Sequence, residues 1–111
     1  KAFKISKRFD DDISSVCGSF NFEIDKNKIK EVFIAFGGMA AVPKRAKACE
    51  KILKNKPLNL STFNQAKNYL DKDLSPIGDM RASKEYRLEI AKNLLMKCFV
   101  EIDSNKLTRV N

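Results

Sequence analysis

Histidine is absent from the sequence, and that absence alone removes several chemistries. A Ser-His-Asp or Cys-His nucleophile needs an imidazole to accept the proton, so neither can be assembled from these residues. Cysteine is scarce, with Cys17, Cys49 and Cys98 widely separated. Secreted disulfide scaffolds use dense, even sets, so this usage fits a reducing cytoplasm. There is no CxxC pair, and a carboxylate would have to join all three thiolates to complete a zinc site, which argues against structural zinc. The four glycines fall neither in GxGxxG spacing nor in GxxxxGK followed by Ser or Thr, the patterns that cradle phosphate ahead of a helix. No apolar run approaches the roughly 20 residues that cross a bilayer. The opening Lys1-Ala2-Phe3-Lys4-Ile5 also lacks the apolar stretch of a signal peptide. The first residue is lysine rather than methionine, and the expectation is a chain that was trimmed or lies inside a longer one.

What is present describes an ordinary globular domain. The chain has 111 residues, 43% of them hydrophobic and 32% charged, enough for one core and too apolar for disorder. The net charge is +8, from 22 Lys and Arg against 14 Asp and Glu. Such a surface attracts anions of many kinds. Here the lysines are spread along every segment and no nucleic-acid motif interleaves them with stacking aromatics, so a solvated basic surface is expected, with neither nucleic acid nor membrane as partner.

Periodicity divides the chain in two. Residues 1–6 read as a short strand, with Phe3 and Ile5 alternating with Lys4 and Ser6. Asp10, Asp11 and Asp12 repel one another and resist burial, so residues 7–12 read as a surface loop. From Val16 to Ile24 the alternation is strict: Val16, Gly18, Phe20, Phe22 and Ile24 share one face. Asp25-Lys26-Asn27-Lys28 supplies a turn. The next strand groups Val32, Ile34 and Phe36, and Phe33 opposite them predicts a central strand covered on both faces. The predicted meander is therefore Ile13–Asp25, Lys28–Phe36 and Ala40–Arg45, the last an edge strand that tolerates Pro43.

Near Arg45 the period changes to that of a helix. Ala46, Cys49 and Leu53 form one stripe, with Ile52 beside them, while Lys47, Lys51 and Lys54 face out. A second helix is predicted to start at Ser61 as N-cap and to carry Phe63, Ala66, Tyr69 and Leu70. Ser75-Pro76-Ile77-Gly78 marks a loop. The last helix has the clearest stripe, Leu88, Ala91, Leu95, Cys98 and Ile102, with Ser83 or Asp79 as its cap and a frayed polar tail after Asp103. The fold class is α+β: a three-stranded antiparallel β-sheet followed by a three-helix bundle.

Few residues propose chemistry by themselves. The Asp10-Asp11-Asp12 run could hold a hard cation, but a solvated loop explains it and no EF-hand spacing accompanies it. Gly37-Gly38 reads as a turn at a strand end. Asp79, Arg81 and Arg87 read as a helix cap with salt bridges.

Three stretches, in order, carry a resemblance. They are the run from Phe3 through Lys4-Ile5-Ser6-Lys7-Arg8-Phe9-Asp10-Asp11-Asp12 to Gly18, then Ile34-Ala35-Phe36-Gly37-Gly38-Met39-Ala40 continuing to Ala46, and Ser75-Pro76-Ile77-Gly78-Asp79-Met80-Arg81 continuing to Leu95. Together they resemble the C-terminal domain of the FAD-binding subunits of bacterial xanthine dehydrogenases and the wider CO dehydrogenase flavoprotein family of molybdenum hydroxylases. The resemblance implies a three-stranded sheet with a helical bundle that closes over FAD from one side. It also implies electron flow from a molybdenum centre through iron-sulfur clusters to FAD and on to NAD. The partners implied are an upstream FAD-binding domain and a molybdenum-binding subunit. The domain limits implied are 1–7 for the end of the preceding FAD-binding domain or a linker, 8–103 for this domain, and 104–111 for a polar tail.

Residue by residue, Lys4 matches a lysine near the flavin, and Lys7 to Asp12 matches a mobile charged loop beside the isoalloxazine, with Arg8 and Asp11 at its basic and acidic positions. Phe9 departs from the mammalian pattern, which has arginine there. No catalytic residue and no metal ligand is expected in this chain. FAD belongs to the full-length subunit, and the fragment alone is expected to hold no cofactor and to be inactive. Two rivals remain at this point: the same domain in a carbon monoxide or nicotinate-type aromatic hydroxylase, and a stand-alone basic module for nucleic acid or protein.

Overall fold

A computed structural model describes residues 2–10, 15–37, 44–73 and 81–109, with side chains described for 2–9, 16–37, 44–73 and 88–104. Four strands come first: β1 (Ala2–Asp10), β2 (Ser15–Asp25), β3 (Lys28–Gly37) and β4 (Lys44–Arg45). Helices α1 (Lys47–Leu53), α2 (Leu60–Lys67), α3 (Leu70–Asp73) and α4 (Arg81–Arg109) follow. The strands form one antiparallel sheet in the order β1-β2-β3-β4, so the α+β class holds with one strand more than the meander predicted.

The added strand is β1. Its alternation does not stop at Ser6: Phe3, Ile5, Lys7 and Phe9 continue along one face, and Lys7, Arg8 and Phe9 pair with Gly18, Cys17 and Val16. The predicted loop over residues 7–12 is thus strand as far as Asp10, while Asp11 and Asp12 lie outside the described residues. A lysine on the inward face is tolerated because Lys7 Nζ meets Glu101 Oε1 on α4. Residues 2–7, set apart by sequence as the end of a preceding domain or a linker, pair with β2 along their length.

Strands β2 and β3 follow the period-2 pattern. Lys26 (φ 51°) and Asn27 (φ 65°) make the tight turn between them, in the backbone region that matches a hairpin's twist. A register shift at Glu23/Ile24 leaves Lys30 as an extra residue on β3. This bulge lets Ile29 and Val32, three apart, both point inward. Of the predicted edge strand only Lys44 and Arg45 are found paired, with Phe36 and Ala35; residues 40–43 lie outside the described residues.

The sheet buries one face in the core shared with the helices, through Ile5, Val16, Phe20, Phe22, Ile34 and Phe36. Phe22 stacks on Phe63 of α2 at 5.7 Å, and Phe63 meets Phe99 of α4 at 4.8 Å. Aromatic pairs of this kind add about 0.5–1.5 kcal/mol each beyond the area they bury. Gly18 is needed here for space, because a Cβ would lie 2.8 Å from the Phe20 ring and 3.1 Å from Phe36.

The helices differ from expectation at their ends. The cap of α2 is Asn59, whose side chain accepts the Thr62 N–H at 2.8 Å, rather than Ser61. The predicted second helix divides at Asn68–Tyr69 into α2 and the single turn α3. In α4 the stripe Ala91, Leu95, Cys98 and Ile102 is buried as its period requires. Ser83 lies within α4 rather than capping it, Asp79 is outside the described residues, and the helix continues past Asp103 to Arg109. None of the described helices is long and apolar enough to cross a membrane.

Candidate functional site

With the described helices on one side, the other face of the sheet stays open. Period 2 along β1 turns Lys4, Ser6 and Arg8 outward, and register places them opposite Asn21, Ser19 and Cys17 of β2, then Phe33, Ala35 and Gly37 of β3. Three rows result, with a cation at the end of the first and third and only Ser6, Ser19 and Ala35 in the middle one. Four residues of strand separate Lys4 from Arg8 by about 13 Å. Both side chains are exposed.

Two of the three residues singled out from sequence therefore share this face: Lys4 and Arg8. Asp11, the third, lies outside the described residues. Lys7, assigned to the same mobile loop, is turned to the opposite side and held by Glu101. Its cation cannot act beside the other two.

Sequence reasoning missed the corner at the far edge of this face. Phe33 was expected to be covered on both sides of the sheet, yet it is 38% exposed, with the Arg45 guanidinium 4.7 Å from its ring centroid. Arg45 Nε donates to both carboxylate oxygens of Glu50, at 3.1 and 2.9 Å. Glu50 is only 7% exposed, and its Oε2 also accepts the Ile34 N–H at 2.8 Å. The two-residue β4 leaves that N–H without a strand partner, and a buried unpaired donor costs about 1–3 kcal/mol. Glu50 supplies the partner, and the Ala46 N–H donates to the Ile34 carbonyl at 2.8 Å. The result is a hydrogen-bonded ledge. Between it and Lys4 runs a groove of about 310 Å³ lined by Lys4, Asn21, Glu23, Glu31, Phe33 and Arg45. The signal missed was a carboxylate on the buried side of α1, where Glu50 stands beside Cys49 and Leu53.

Among the apolar residues of β1 and the outward row, Ile5 is buried, Phe3 and Phe9 pack against the core in part, and Phe33 is exposed. Ile5 is covered because β1 is a full member of the sheet. The cysteines are free. Cys17 is half-buried on the open face, whereas Cys49 and Cys98 lie in the core. Burial drives both core thiol pKa values well up, helped by Asp73 and Glu50 at Cys49 and by Glu101 at Cys98, where Lys7 opposes the rise. Among the described residues no group of three or more His, Cys, Asp or Glu side chains is placed to hold a metal ion.

Comparison with known proteins identifies relatives of the whole domain. Residues 1–102 match the model of the CO dehydrogenase flavoprotein C-terminal domain. The chain is 32% identical over 99 residues to the xanthine dehydrogenase FAD-binding subunit of Escherichia coli O157:H7, covering 89% of this chain and 34% of that subunit. It is 34% identical over 76 residues to the glyceraldehyde dehydrogenase medium chain of Sulfolobus acidocaldarius, covering 68% of this chain and 27% of the other. The chain thus spans about a third of the length of curated relatives it matches. Among solved structures, carbon monoxide dehydrogenase from Hydrogenophaga pseudoflava superposes with a TM-score of 0.74 at 15% identity, over 86% of this chain and 34% of that one. Quinoline 2-oxidoreductase from Pseudomonas putida 86 gives 0.66 at 21%, over 78% and 30%. At such identities the structural likeness speaks for the fold.

Proposed function

The chain belongs to the CO dehydrogenase flavoprotein C-terminal domain family, and from that premise we propose that its open sheet face covers one side of FAD within a longer flavoprotein subunit. The observation that carries this reading is an exposed face, free of helices among the described residues, with Lys4 and Arg8 flanking a row of small side chains. The residues fit part of the group and not all of it. Ser6, Ser19 and Ala35 leave a planar ring room to approach the backbone, and Lys4 and Arg8 place positive charge at its borders. The described residues offer no glycine loop leading into a helix for the pyrophosphate, so the main grip on FAD belongs to another part of the subunit.

When bound, FAD supplies the electron and hydride chemistry, and the protein contributes position and electrostatics. Lys4 and Arg8 hold positive charge at the face, and the Phe33–Arg45–Glu50 ledge bounds its far edge. In this reading the whole enzyme is a xanthine dehydrogenase-type molybdenum hydroxylase, with a molybdenum-binding subunit as partner and NAD as electron acceptor. The fragment alone is inactive. Lys4 and Arg8 face the flavin, and Asp11 stands near it.

Cys17 provides the test, because it lies on the open face while the other two thiols are buried. A thiol reagent should label Cys17 in the 111-residue chain and be excluded from it in the FAD-loaded full-length subunit. Equal labelling of Cys17 in the loaded subunit would overturn the assignment of this face.

A further inference from the structure

The helical layer carries a second concave surface, independent of the flavin reading. On α1, Ala48, Lys51 and Ile52 stand at i, i+3 and i+4, which is one face. Gln65, Asn68, Tyr69 and Lys72, from α2, the turn after it and α3, line one hollow together. The two groups meet at adjoining hollows of about 540 and 360 Å³ that share Ile52, Tyr69 and Lys72. Lys54 and Lys56 complete the larger one, so it is lined by four ammonium groups and no carboxylate.

The neighbouring carboxylates are engaged elsewhere. Asp73 accepts the N–H groups of Ala48 and Cys49, both at 2.8 Å, and Asp71 pairs with Lys92 at 3.0 Å. Among the described residues only Lys54 of the four has a carboxylate partner, Glu31 at 3.5 Å, in an exposed pair of the kind that contributes little and exchanges readily. Four cations around one hollow, one of them weakly paired, repel each other, and an anion relieves that repulsion. The shared wall of Ile52 and Tyr69 offers an apolar, aromatic surface, with Lys72 Nζ 5.8 Å from the Tyr69 ring centroid. In the smaller hollow Gln65 and Asn68 each present a donor and an acceptor.

Charge, ring and carboxamides in that order match one ligand class. We propose that this surface binds a nucleotide with two or more phosphates: phosphates among Lys51, Lys54, Lys56 and Lys72, the base against Tyr69, its edge towards Gln65 and Asn68. Both hollows fall within the roughly 300–1,000 Å³ of small-molecule sites. An extended acidic peptide would use the lysines and leave the carboxamide hollow unexplained.

The 111-residue chain is titrated with ADP, AMP, inorganic pyrophosphate and poly-glutamate, followed by calorimetry and by backbone amide NMR. ADP is expected to shift the amides of Ala48, Ile52, Asn68 and Tyr69 and to bind about tenfold more tightly than AMP, as one more charge-assisted phosphate contact provides. The Lys51→Ala/Lys54→Ala variant should weaken ADP about tenfold or more, while Lys30→Ala, far along β3, should not. Tyr69→Leu should weaken ADP and leave pyrophosphate unchanged, with unaltered circular dichroism excluding a folding defect. Shifts spread over every lysine-bearing segment, pyrophosphate binding as tightly as ADP, or poly-glutamate displacing ADP at equal charge would each overturn the proposal.

Discussion

Glu50 reaches from α1 to the backbone of β3, where it takes the Ile34 N–H and grips Arg45. Glu50→Leu leaves that buried N–H unpaired and should lower stability by about 2–3 kcal/mol, whereas Glu50→Gln keeps an acceptor and should cost about half as much; urea denaturation of both variants measures the difference. Lys4 is a contrasting case, since its side chain is exposed and contributes little to folding. In the flavin-loaded full-length subunit Lys4→Ala should lower the flavin midpoint potential, because a cation favours the electron-rich reduced ring, while the melting temperature stays the same. Potentiometric titration reads the first and calorimetry the second; an unchanged potential would remove Lys4 from the flavin. The two core thiols make a prediction about pH. Their folded pKa values are raised above the ordinary 9.0, so above about pH 9 the unfolded chain releases protons that the folded chain keeps. Their contribution is complete below the ordinary thiol range and is lost as pH rises through and beyond it. Stability should therefore fall in alkali, and the fall should be smaller in Cys49→Ala/Cys98→Ala when each is compared with its own value at pH 7.

Among the elements, α1 is held from a distance. Its own N-cap, Ala46, has no side chain to offer, and Asp73, from α3, accepts the Ala48 and Cys49 N–H groups instead. Asp73→Ala should cost about 1 kcal/mol, as loss of a cap does, with hydrogen exchange rising first in α1. This contact was not legible in the sequence, where caps are sought next to the helix they serve. The long elements were legible: strict alternation in β2 and the 3-4 stripe of α4 each allow only one face to be buried. β1 was cut short because Lys7 and the acidic run look like loop chemistry, and only the ion pair with Glu101 makes an inward lysine acceptable. The site was legible in the same measure. Period 2 puts Lys4 and Arg8 on one face, but the ledge of Phe33, Arg45 and Glu50 depends on a helix folding back onto a sheet edge, which no local pattern encodes.

At the scale of the whole molecule, the core is continuous from β1 to α4, yet the described residues hold no phosphate-binding loop. The 111-residue chain should therefore fold cooperatively in calorimetry and retain no flavin absorbance after incubation with FAD and desalting; a near-stoichiometric yellow band would mean that the principal grip lies here. The strand order also has a consequence for synthesis. β1, β2, β3 and β4 are neighbours in sequence as well as in the sheet, so each can pair as it leaves the ribosome, at little cost in loop closure. The inner face they create, with Phe20, Phe22 and Phe36, gains its α4 cover only after some sixty further residues have been translated, an interval of several seconds at about 5–20 residues per second. For that interval the part of the sheet that α4 covers stays exposed, the kind of apolar surface that chaperones bind. A stop codon ahead of α4 would leave it exposed for good, and such a truncated product should go to inclusion bodies or proteolysis rather than accumulate as a smaller folded protein.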